Sequence, residues 1–397
     1  MLLKESHMPF IIAEPSNDHR ESYSEYVGRG GYRTAWAKVR AMEATAVRTA
    51  VLSAGLRGRG GAGFPTAKKW ELATAVEASR RVLIINGAEG EPGSFKDRTL
   101  MTLAPHRVLE GILIAAHAIQ ATDILFYIND QFGDSISSLE HALREAEQDG
   151  LPVSMIKLLP ETHTYIAGEE TALINALMGL PAQPWHKPPY PTTQGYQGHP
   201  TIVNNAETVA VLPIIFEKGV TWFVRNQPML FSVSGDVKRP GVYEMPLGTP
   251  LRQLLDITGG PSQNSIQAVL PGGFSMPWLK PEQFDTPLDY ESLRLLGTGL
   301  GGSIIVIGDE RSLYDQTRQI ANFFAQETCG KCPLCVRGTR TLAQQMAELA
   351  NTFNPEAVGT LVQSAKKFRH KGICSFLDTA AHMVEEYAVA LNTRTVL

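Results

Sequence analysis

The sequence predicts an α/β protein that carries a smaller α+β module and ends in a helical bundle. Three observations lead there. Short apolar runs alternate with amphipathic stretches between residues 45 and 226. Composition shifts after Asn226, where a hairpin pattern, a helix and further strands follow within about 80 residues. From Ser312 onward nearly every segment has helical periodicity, and all four cysteines lie there.

Residues 1–44 read as a polar, irregular extension that becomes helical toward its end. Glu43 to Ser53 reads as a helix stopped by Gly55. The glycine-rich run Gly58-Arg59-Gly60-Gly61-Ala62-Gly63-Phe64 follows, with a helix expected from about Pro65. Val82–Ile85, Ile124–Ile128 and Met155–Leu159 are short and apolar, bounded by turn residues, and so predict buried strands. Between them His106–Gln120 and Ser135–Gln148 read as helices, the second ended by Gly150. Strand–helix alternation of this kind builds a mostly parallel sheet. After Asn226, Met229–Ser234 and Val242–Glu244 predict a hairpin around Asp236–Gly241, and Thr249–Ile257 a helix ended by Gly259-Gly260. Strands follow near Ala268–Leu270 and Ile304–Ile307. The C-terminal helices are expected over Leu313–Gln326, Thr339–Thr352, Pro355–Phe368 and Thr379–Asn392.

Composition excludes several function classes. The chain has 397 residues, a net charge of -4 and a pI near 6.2, so it lacks a nucleic-acid footprint. No apolar run reaches the roughly 18–20 residues that cross a bilayer. Met1 to Pro15 lacks a cationic start and an apolar core, so no secretory signal is evident. The expected location is cytoplasmic, or peripheral to a membrane complex, where thiols stay reduced. No G-x-S-x-G, H-E-x-x-H or Walker loop occurs.

Cys329, Cys332 and Cys335 read C-x2-C-x2-C, and Cys374 follows 38 residues later. Three thiolates on one tight loop plus one supplied by the fold match the four sulfur ligands of a [4Fe–4S] cluster. Four soft sulfurs also suit zinc, although zinc sites usually show two separated pairs. The triple run favours iron–sulfur.

Five further motifs carry chemistry or local structure. Gly58, Gly60 and Gly63 form G-x-G-x-x-G, but a helix precedes the loop, so the usual dinucleotide context fails. Glycines still let backbone N–H groups approach a phosphate, with Arg57, Arg59, Lys68 and Lys69 as nearby positive charge. The alternative is a tight turn. Asn86 to Gly93 leaves the C-terminal end of a strand, where α/β sheets bind ligands. It carries Glu89 and Glu91, which are either ligand-facing or an acidic turn, while Lys96-Asp97-Arg98 reads as a solvated helix entry. Tyr165, Gly168, Glu169 and Glu170 open an apolar helix, which capping alone would explain. Lys187-Pro188-Pro189-Tyr190-Pro191 is a stiff loop with one cation and one ring. Asn204, Asn205 and Thr208 mark another helix start.

Taken together and in order, these motifs resemble the flavin-binding, NADH-oxidising subunit of respiratory complex I. That family includes diaphorase subunits of NAD-linked hydrogenases and formate dehydrogenases. The resemblance runs from about Thr45 to the C-terminus. It implies a Rossmann-like FMN/NADH-binding domain over residues 45–226, a β-grasp (SLBB) domain over 227–311 and a helical [4Fe–4S] domain over 312–397. It also implies that the glycine loop, including Arg59, Gly61 and Ala62, holds the FMN phosphate, with Lys69 near the flavin. Phe64 and Tyr190 would flank the nicotinamide nucleotide, with Lys187 beside it. Glu91 and Glu170 would contact it, and Glu89 and Glu91 are the carboxylates expected to serve catalysis. Asn86, Tyr165, Gly168, Glu169, Asn204, Asn205 and Thr208 complete the cofactor pocket. Hydride would pass from NADH to FMN and leave as single electrons through the cluster.

The implied function is an NADH dehydrogenase (diaphorase) subunit within a larger redox complex. Its implied partners are a separate thioredoxin-like [2Fe–2S] subunit and a larger iron–sulfur or catalytic subunit. A rival is an electron-transfer and docking subunit that keeps the cluster but not nucleotide turnover. A third reading is a zinc-stabilised binding protein. The rival is motivated by departures from the family pattern. Ala88 stands where an acid is usual, Ala167 where a cysteine is usual, Tyr190 where phenylalanine is usual, and Leu72 where an aromatic is frequent.

Overall fold

Aliphatic runs with few polar interruptions pair into a first sheet of four parallel strands. They are Val82–Gly87 (β1), Asp123–Asn129 (β2), Ile156–Glu161 (β3) and Thr201–Asn205 (β4), in the order β3-β2-β1-β4. Periodicity does not predict β4. Its five residues, Thr201 to Asn205, give too short a signal beside the helix cap they lead into. The computed structural model describes residues 10–12, 19–162, 164–259, 265–349 and 355–392. Gly260 and the expected helix end at Thr352 lie outside those residues, as does most of the Met1–Pro15 segment.

Both faces of this sheet are covered. Leu83, Ile85 and Phe126 join the core formed with the helices Ala44–Ser53, Thr66–Thr74 and Pro105–Ile119. Val82, Ile84, Leu125 and Tyr127 face the other way, onto Leu173 and Ile174 of the helix Glu170–Leu177. The N-terminal segment is more ordered than its polar composition predicts. Short helices at Tyr23–Gly28 and Ala35–Val39 bury Tyr26, Tyr32, Ala35 and Val39 in the first core. Their buried hydroxyls are satisfied, Tyr26 by Glu110 and Tyr32 by His106.

The second sheet has the order β6-β5-β8-β7, from Pro228–Gly235 (β5), Gly241–Pro246 (β6), Ile266–Phe274 (β7) and Ser303–Gly308 (β8). β5 and β6 form the expected hairpin, and β8 joins β5 in parallel. Leu251, Leu254 and Leu255 of the helix Leu251–Thr258 pack on Phe231, Val233 and Val306. The last region is a bundle of the helices Leu313–Gln326, Pro333–Leu349, Pro355–Phe368 and Phe376–Asn392, whose core also takes in Ile166, Ala172, Ala268, Leu270 and Ile307. The second of these starts at Pro333, ahead of the Thr339 start that periodicity predicts. Pro at the first helical position explains the early start, since its missing N–H has no intrahelical partner to lose there.

Glu244 on β6 ties the N-terminal segment to the second sheet. Its carboxylate accepts the backbone N–H groups of Phe10, Ile11 and Ile12 at 2.7, 2.9 and 3.3 Å. Burial pushes Glu244 up to about 7, against the pull of those three donors. Once undocked, its carboxyl would titrate near about 4.3. The docked form therefore binds the proton more readily. Docking is fully favoured below that undocked value and weakens as pH rises through about 7. We expect amide exchange at Phe10–Ile12, corrected for intrinsic rate, to show more protection at pH 5 than at pH 8. Glu244→Gln should remove that pH dependence. Equal protection in wild-type protein at both pH values would disprove the link.

Candidate functional site

Strand order places the site. β1 continues to β2 on one side, whereas β4 pairs in parallel on the other, so the order of strand addition reverses between β1 and β4. In open α/β sheets ligands bind outside the carboxyl ends of the strands at such a point. Asn86 ends β1 and Asn204 and Asn205 end β4, with Asn86 and Asn205 in register. The long connection from β3 to β4 carries the Tyr165–Glu170 and Lys187–Tyr190 motifs across this edge.

The glycine loop is pinned at its ends. Gly58 N–H donates to Phe64 O at 2.9 Å and Thr66 N–H to Leu56 O at 2.9 Å. Gly63 sits at φ +61°, and a Cβ there would come within 2.6 Å of the Tyr290 ring, so only glycine fits. A Cβ on Gly61 would meet nothing within 4 Å, so that stretch of backbone stays open to a ligand. The loop is held to β4 and its helix: Arg59 N–H donates to Thr208 Oγ1 at 2.8 Å, and Gly60 approaches Asn205. This open, glycine-lined backbone fits a phosphate-bearing cofactor.

One expected cation is elsewhere. Arg59 is 1% exposed, and its guanidinium runs inward to Met229 Sδ at 3.2 Å. Only its backbone serves the loop. Arg57 is engaged by Glu291 at 2.5 Å and lies over the Tyr290 ring. Lys69 does reach the site. Its Nζ lies 2.6 Å from Glu170 Oε2 and 3.1 Å from Val203 O. Lys187 Nζ meets Glu169 Oε1 at 3.1 Å and Glu170 Oε1 at 2.7 Å. Burial would raise the Glu170 carboxyl, but the Lys69 charge and hydrogen bonds from Lys187 and Lys69 outweigh it and hold it at about 2. Glu169 also caps its helix, accepting Thr171 and Ala172 N–H at 2.8 and 3.0 Å. The capping and ligand-facing readings of this motif therefore divide between the two acids. Phe64 and Tyr190 are 48% and 54% exposed.

The asparagines bind the motifs to one another. Asn86 Nδ2 donates to Gly168 O at 3.1 Å, and Trp70 Nε1 to Asn204 Oδ1 at 3.0 Å. Asn205 Oδ1 caps the helix Ala206–Ala210, and its Nδ2 donates to Asp97 Oδ2 at 2.7 Å. That last contact corrects a second expectation. Lys96 and Asp97 are buried rather than solvated, and Lys96 Nζ pairs with Asp97 Oδ1 at 2.8 Å and Glu207 Oε2 at 2.7 Å. The helix entry itself is present, as Lys96–Leu103. Nothing in the local sequence marks Glu207 as the partner, because the pair closes only when β4 joins the sheet.

Glu89 and Glu91 stand in different environments. Glu89 accepts the N–H groups of Asp97 and Arg98 at 2.7 and 2.9 Å and the Ser94 hydroxyl at 2.9 Å. These bonds cap the helix Lys96–Leu103 and commit the Glu89 carboxylate to holding that helix start. Burial, then the Asp97 charge, pushes its carboxyl up to about 7. Glu91 is also raised by burial. It accepts Ser275 Oγ at 2.7 Å and Tyr165 Oη at 2.8 Å, which joins it to the second sheet and to the bundle. The Tyr165 ring packs edge-on against Phe323, Phe324 and Phe376.

The cysteines converge beside this edge. Cys329 and Cys332 lie on a loop, Cys335 in the first turn of Pro333–Leu349, and Cys374 just before Phe376–Asn392. All four are free. Burial pushes the Cys335 thiol up, and the charges of Cys332 and Cys329 add to that. Cys374 is pushed up to about 11 by burial, with Glu169, Cys335 and Cys329 reinforcing it. All four cysteines lie in or against the one core cluster of the bundle. Among the described residues no three His, Cys, Asp or Glu side chains stand close enough to chelate a single ion. An all-thiolate set of four fits the ligand chemistry of an iron–sulfur cluster. Two contacts that carry no sequence signal fasten the loop to the flavin side. Gln183 Nε2 donates to Cys329 O at 2.9 Å, and Lys331 Nζ to Pro184 O at 2.7 Å.

Comparison with known proteins agrees with this arrangement. Residues 51–214 match the Nuo51 FMN-binding domain, 230–277 the SLBB domain, and 315–390 the NADH-ubiquinone oxidoreductase-F iron-sulfur binding region. An F-type NADH-quinone oxidoreductase subunit of Rhizobium meliloti is 37% identical over 333 residues, 79% of each chain. Its counterpart in Streptomyces coelicolor is 36% identical, covering 90% of this chain and 83% of its own. That of Mycobacterium tuberculosis is 36% identical, covering 94% and 88%. A crystal structure of NAD+-reducing [NiFe]-hydrogenase in the H2-reduced state superposes with a TM-score of 0.83 at 33% identity. It covers 95% of this chain, which spans 66% of that hydrogenase chain. With its three regions in this order, the chain belongs to the family of F-type NADH-quinone oxidoreductase subunits.

Proposed function

We propose that the protein is the NADH-oxidising, FMN- and [4Fe–4S]-containing subunit of a multi-subunit redox complex. The observation that carries this reading is convergence. The open glycine loop and the Lys69–Glu170–Lys187 network meet at one edge of the first sheet, and Gln183 and Pro184 of the same connection hold the cysteine loop. When bound, FMN and the cluster supply the exchange of a hydride pair for single electrons.

The chain's own residues supply binding and orientation. Gly58, Gly60, Gly61, Ala62 and Gly63 present backbone to the phosphate, while Asn86, Gly168, Asn204, Asn205 and Thr208 set the walls. Phe64 and Tyr190 offer exposed rings for stacking on a nucleotide. Lys187 and Glu170 stand ready to exchange their mutual ion pair for contacts with it. Glu91 and Tyr165 connect the pocket to the bundle. Cys329, Cys332, Cys335 and Cys374 are the proposed cluster ligands. Partners are proposed as a [2Fe–2S] subunit and a larger iron–sulfur or catalytic subunit, in a cytoplasmic setting. Among the described residues no helix is long and apolar enough to cross a membrane.

Anaerobic titration of reconstituted protein with NADH tests the reading. Flavin bleaching followed by a reduced-cluster paramagnetic signal supports it. Reduction by dithionite alone would favour the docking-subunit rival that Ala88 and Leu72 motivate. Tyr190→Ala should raise the NADH KM by about ten-fold, the scale of losing 1–1.5 kcal/mol of aromatic stacking, with FMN content unchanged. An unchanged KM would remove Tyr190 from the nucleotide site.

A further inference from the structure

Two segments that carry the cysteines hold charges of one sign. Residues 328–347 and 357–377 contain seven Lys or Arg and no Asp or Glu, in a chain whose net charge is -4. The two segments are joined. A Cβ on Gly338 would come within 3.0 Å of Phe368 and 2.9 Å of Leu377, so the start of one helix lies directly on the end of the next. Some of these cations have work within the fold: Lys331 holds Pro184 O, and Arg369 holds Glu385 at 2.6 Å. Arg337, Arg340, Lys367 and Lys371 are exposed and have no anionic partner among the described residues.

Arg337 and Arg340, three apart on one helical face, line a groove of about 460 Å³ with Gly330, Pro333 and Gln344. No residue of the flavin domain lines it. Leu334, 42% exposed, adds an apolar contact beside it. Cys329 and Cys332 on the adjoining loop are only partly buried, so the groove opens beside two of the proposed cluster ligands.

A solvated basic face is the ordinary explanation for such charges. Three features go beyond it: acids are wholly missing from two segments, the free guanidiniums share a groove, and the groove abuts the metal ligands. We propose that this face docks the redox protein that exchanges electrons with the cluster, and that this partner presents carboxylates around its own centre. The proposal rests on the reading above that the four cysteines hold a cluster. Arginine suits the role because its planar fork meets carboxylates two bonds at a time. Opposite charge speeds encounter and fixes orientation more than it adds raw affinity.

The test uses full-length protein with FMN and cluster in place and a plant-type acidic [2Fe–2S] ferredoxin as probe. Basic cytochrome c and phosphatidylserine vesicles serve as comparisons. Wild-type protein should oxidise the dithionite-reduced ferredoxin with NAD+ as acceptor, the downhill direction for so low-potential a donor, with a KM for ferredoxin that rises with salt. Arg337→Glu with Arg340→Glu should raise that KM on the order of ten-fold or more. The doubly Gln-substituted variant should show a smaller rise, and Arg40→Glu, in the N-terminal segment, none. Iron content and NADH–ferricyanide turnover should stay unchanged in every variant. A KM for ferredoxin that ignores the charge reversal overturns the proposal, and so does preference for cytochrome c. Vesicle binding lost on charge reversal, with ferredoxin unaffected, would make the face a lipid surface instead. If NADH fails to bleach the wild-type flavin, the proposed function fails instead of the docking face.

Discussion

Replacing Lys96 with methionine is expected to destabilise the protein by about 3–5 kcal/mol, the scale of breaking a buried ion pair from one side. Lys96 is 2% exposed and serves two carboxylates at once, Asp97 at 2.8 Å and Glu207 at 2.7 Å. Each acid has a further task. Asp97 accepts Asn205 Nδ2 at 2.7 Å, and Glu207 accepts Leu230 N–H at 2.9 Å, so the cluster ties β4 to the first strand of the second sheet. Methionine fills much of the same volume but leaves two buried acids facing each other. Burial alone would lower the Lys96 pKa, but Asp97, Glu207 and Glu89 outweigh it and push it well above its ordinary value. A raised cation stabilises fully below its unfolded pKa of about 10.4 and loses this only as pH climbs beyond. The wild-type contribution is therefore constant across neutral pH. In the variant the orphaned acids can take up protons, so the deficit should shrink as pH falls toward 5. Urea unfolding midpoints at pH 8 and pH 5.5 check both statements. A cost under about 1 kcal/mol at pH 8 would show that the pair stabilises no more than a surface bridge does. FMN content should also fall, because Asn205 is held by Asp97.

Much of this architecture is legible from periodicity. β1, β2 and β3, the hairpin and three of the four bundle helices follow from apolar runs and the turns that bound them. What is not legible depends on long-range pairing. β4 is five residues long, and its role as the strand that creates the switch point appears only when it pairs with β1. Arg59 and Lys96 look like surface cations because local sequence cannot report the second sheet that buries them. Glu89 shows the same limit from the other side. An acid in a glycine-rich turn reads as a ligand, yet its backbone sits at φ +42° and directs the carboxylate into the next helix start. The cysteines are the reverse case, where the C-x2-C-x2-C spacing constrains geometry so tightly that the partner residue has only one candidate. The resemblance to a known family supplies the cofactor assignment, which spacing alone leaves shared with zinc.

Cys374→Ala should remove the cluster while leaving the flavin half of the protein intact. Cys374 is the one cysteine outside the triple run, so it closes the ligand set from a different helix start. Its thiol is pushed up to about 11, chiefly by burial, so without iron it stays protonated at neutral pH. Metal binding must displace that proton, and the net gain comes from four Fe–S bonds formed together. Alanine offers no ligand, and no spare thiol exists in the chain to replace it. Iron should fall from about four per chain toward zero. FMN should remain, because the cores on the two faces of the first sheet are built without any residue of the bundle helices. NADH should still bleach the flavin, but the paramagnetic signal of a reduced cluster should vanish and reduction of a protein acceptor should stop with it. A serine variant separates ligand chemistry from packing, since its hydroxyl is close to the thiol in size but a poorer ligand for iron. If Cys374→Ala retains full iron and the signal, the fourth ligand lies elsewhere. If flavin and iron are lost together, the bundle and the first sheet fold as one unit, and the contacts of Gln183 and Lys331 with the cysteine loop matter more to stability than their number suggests.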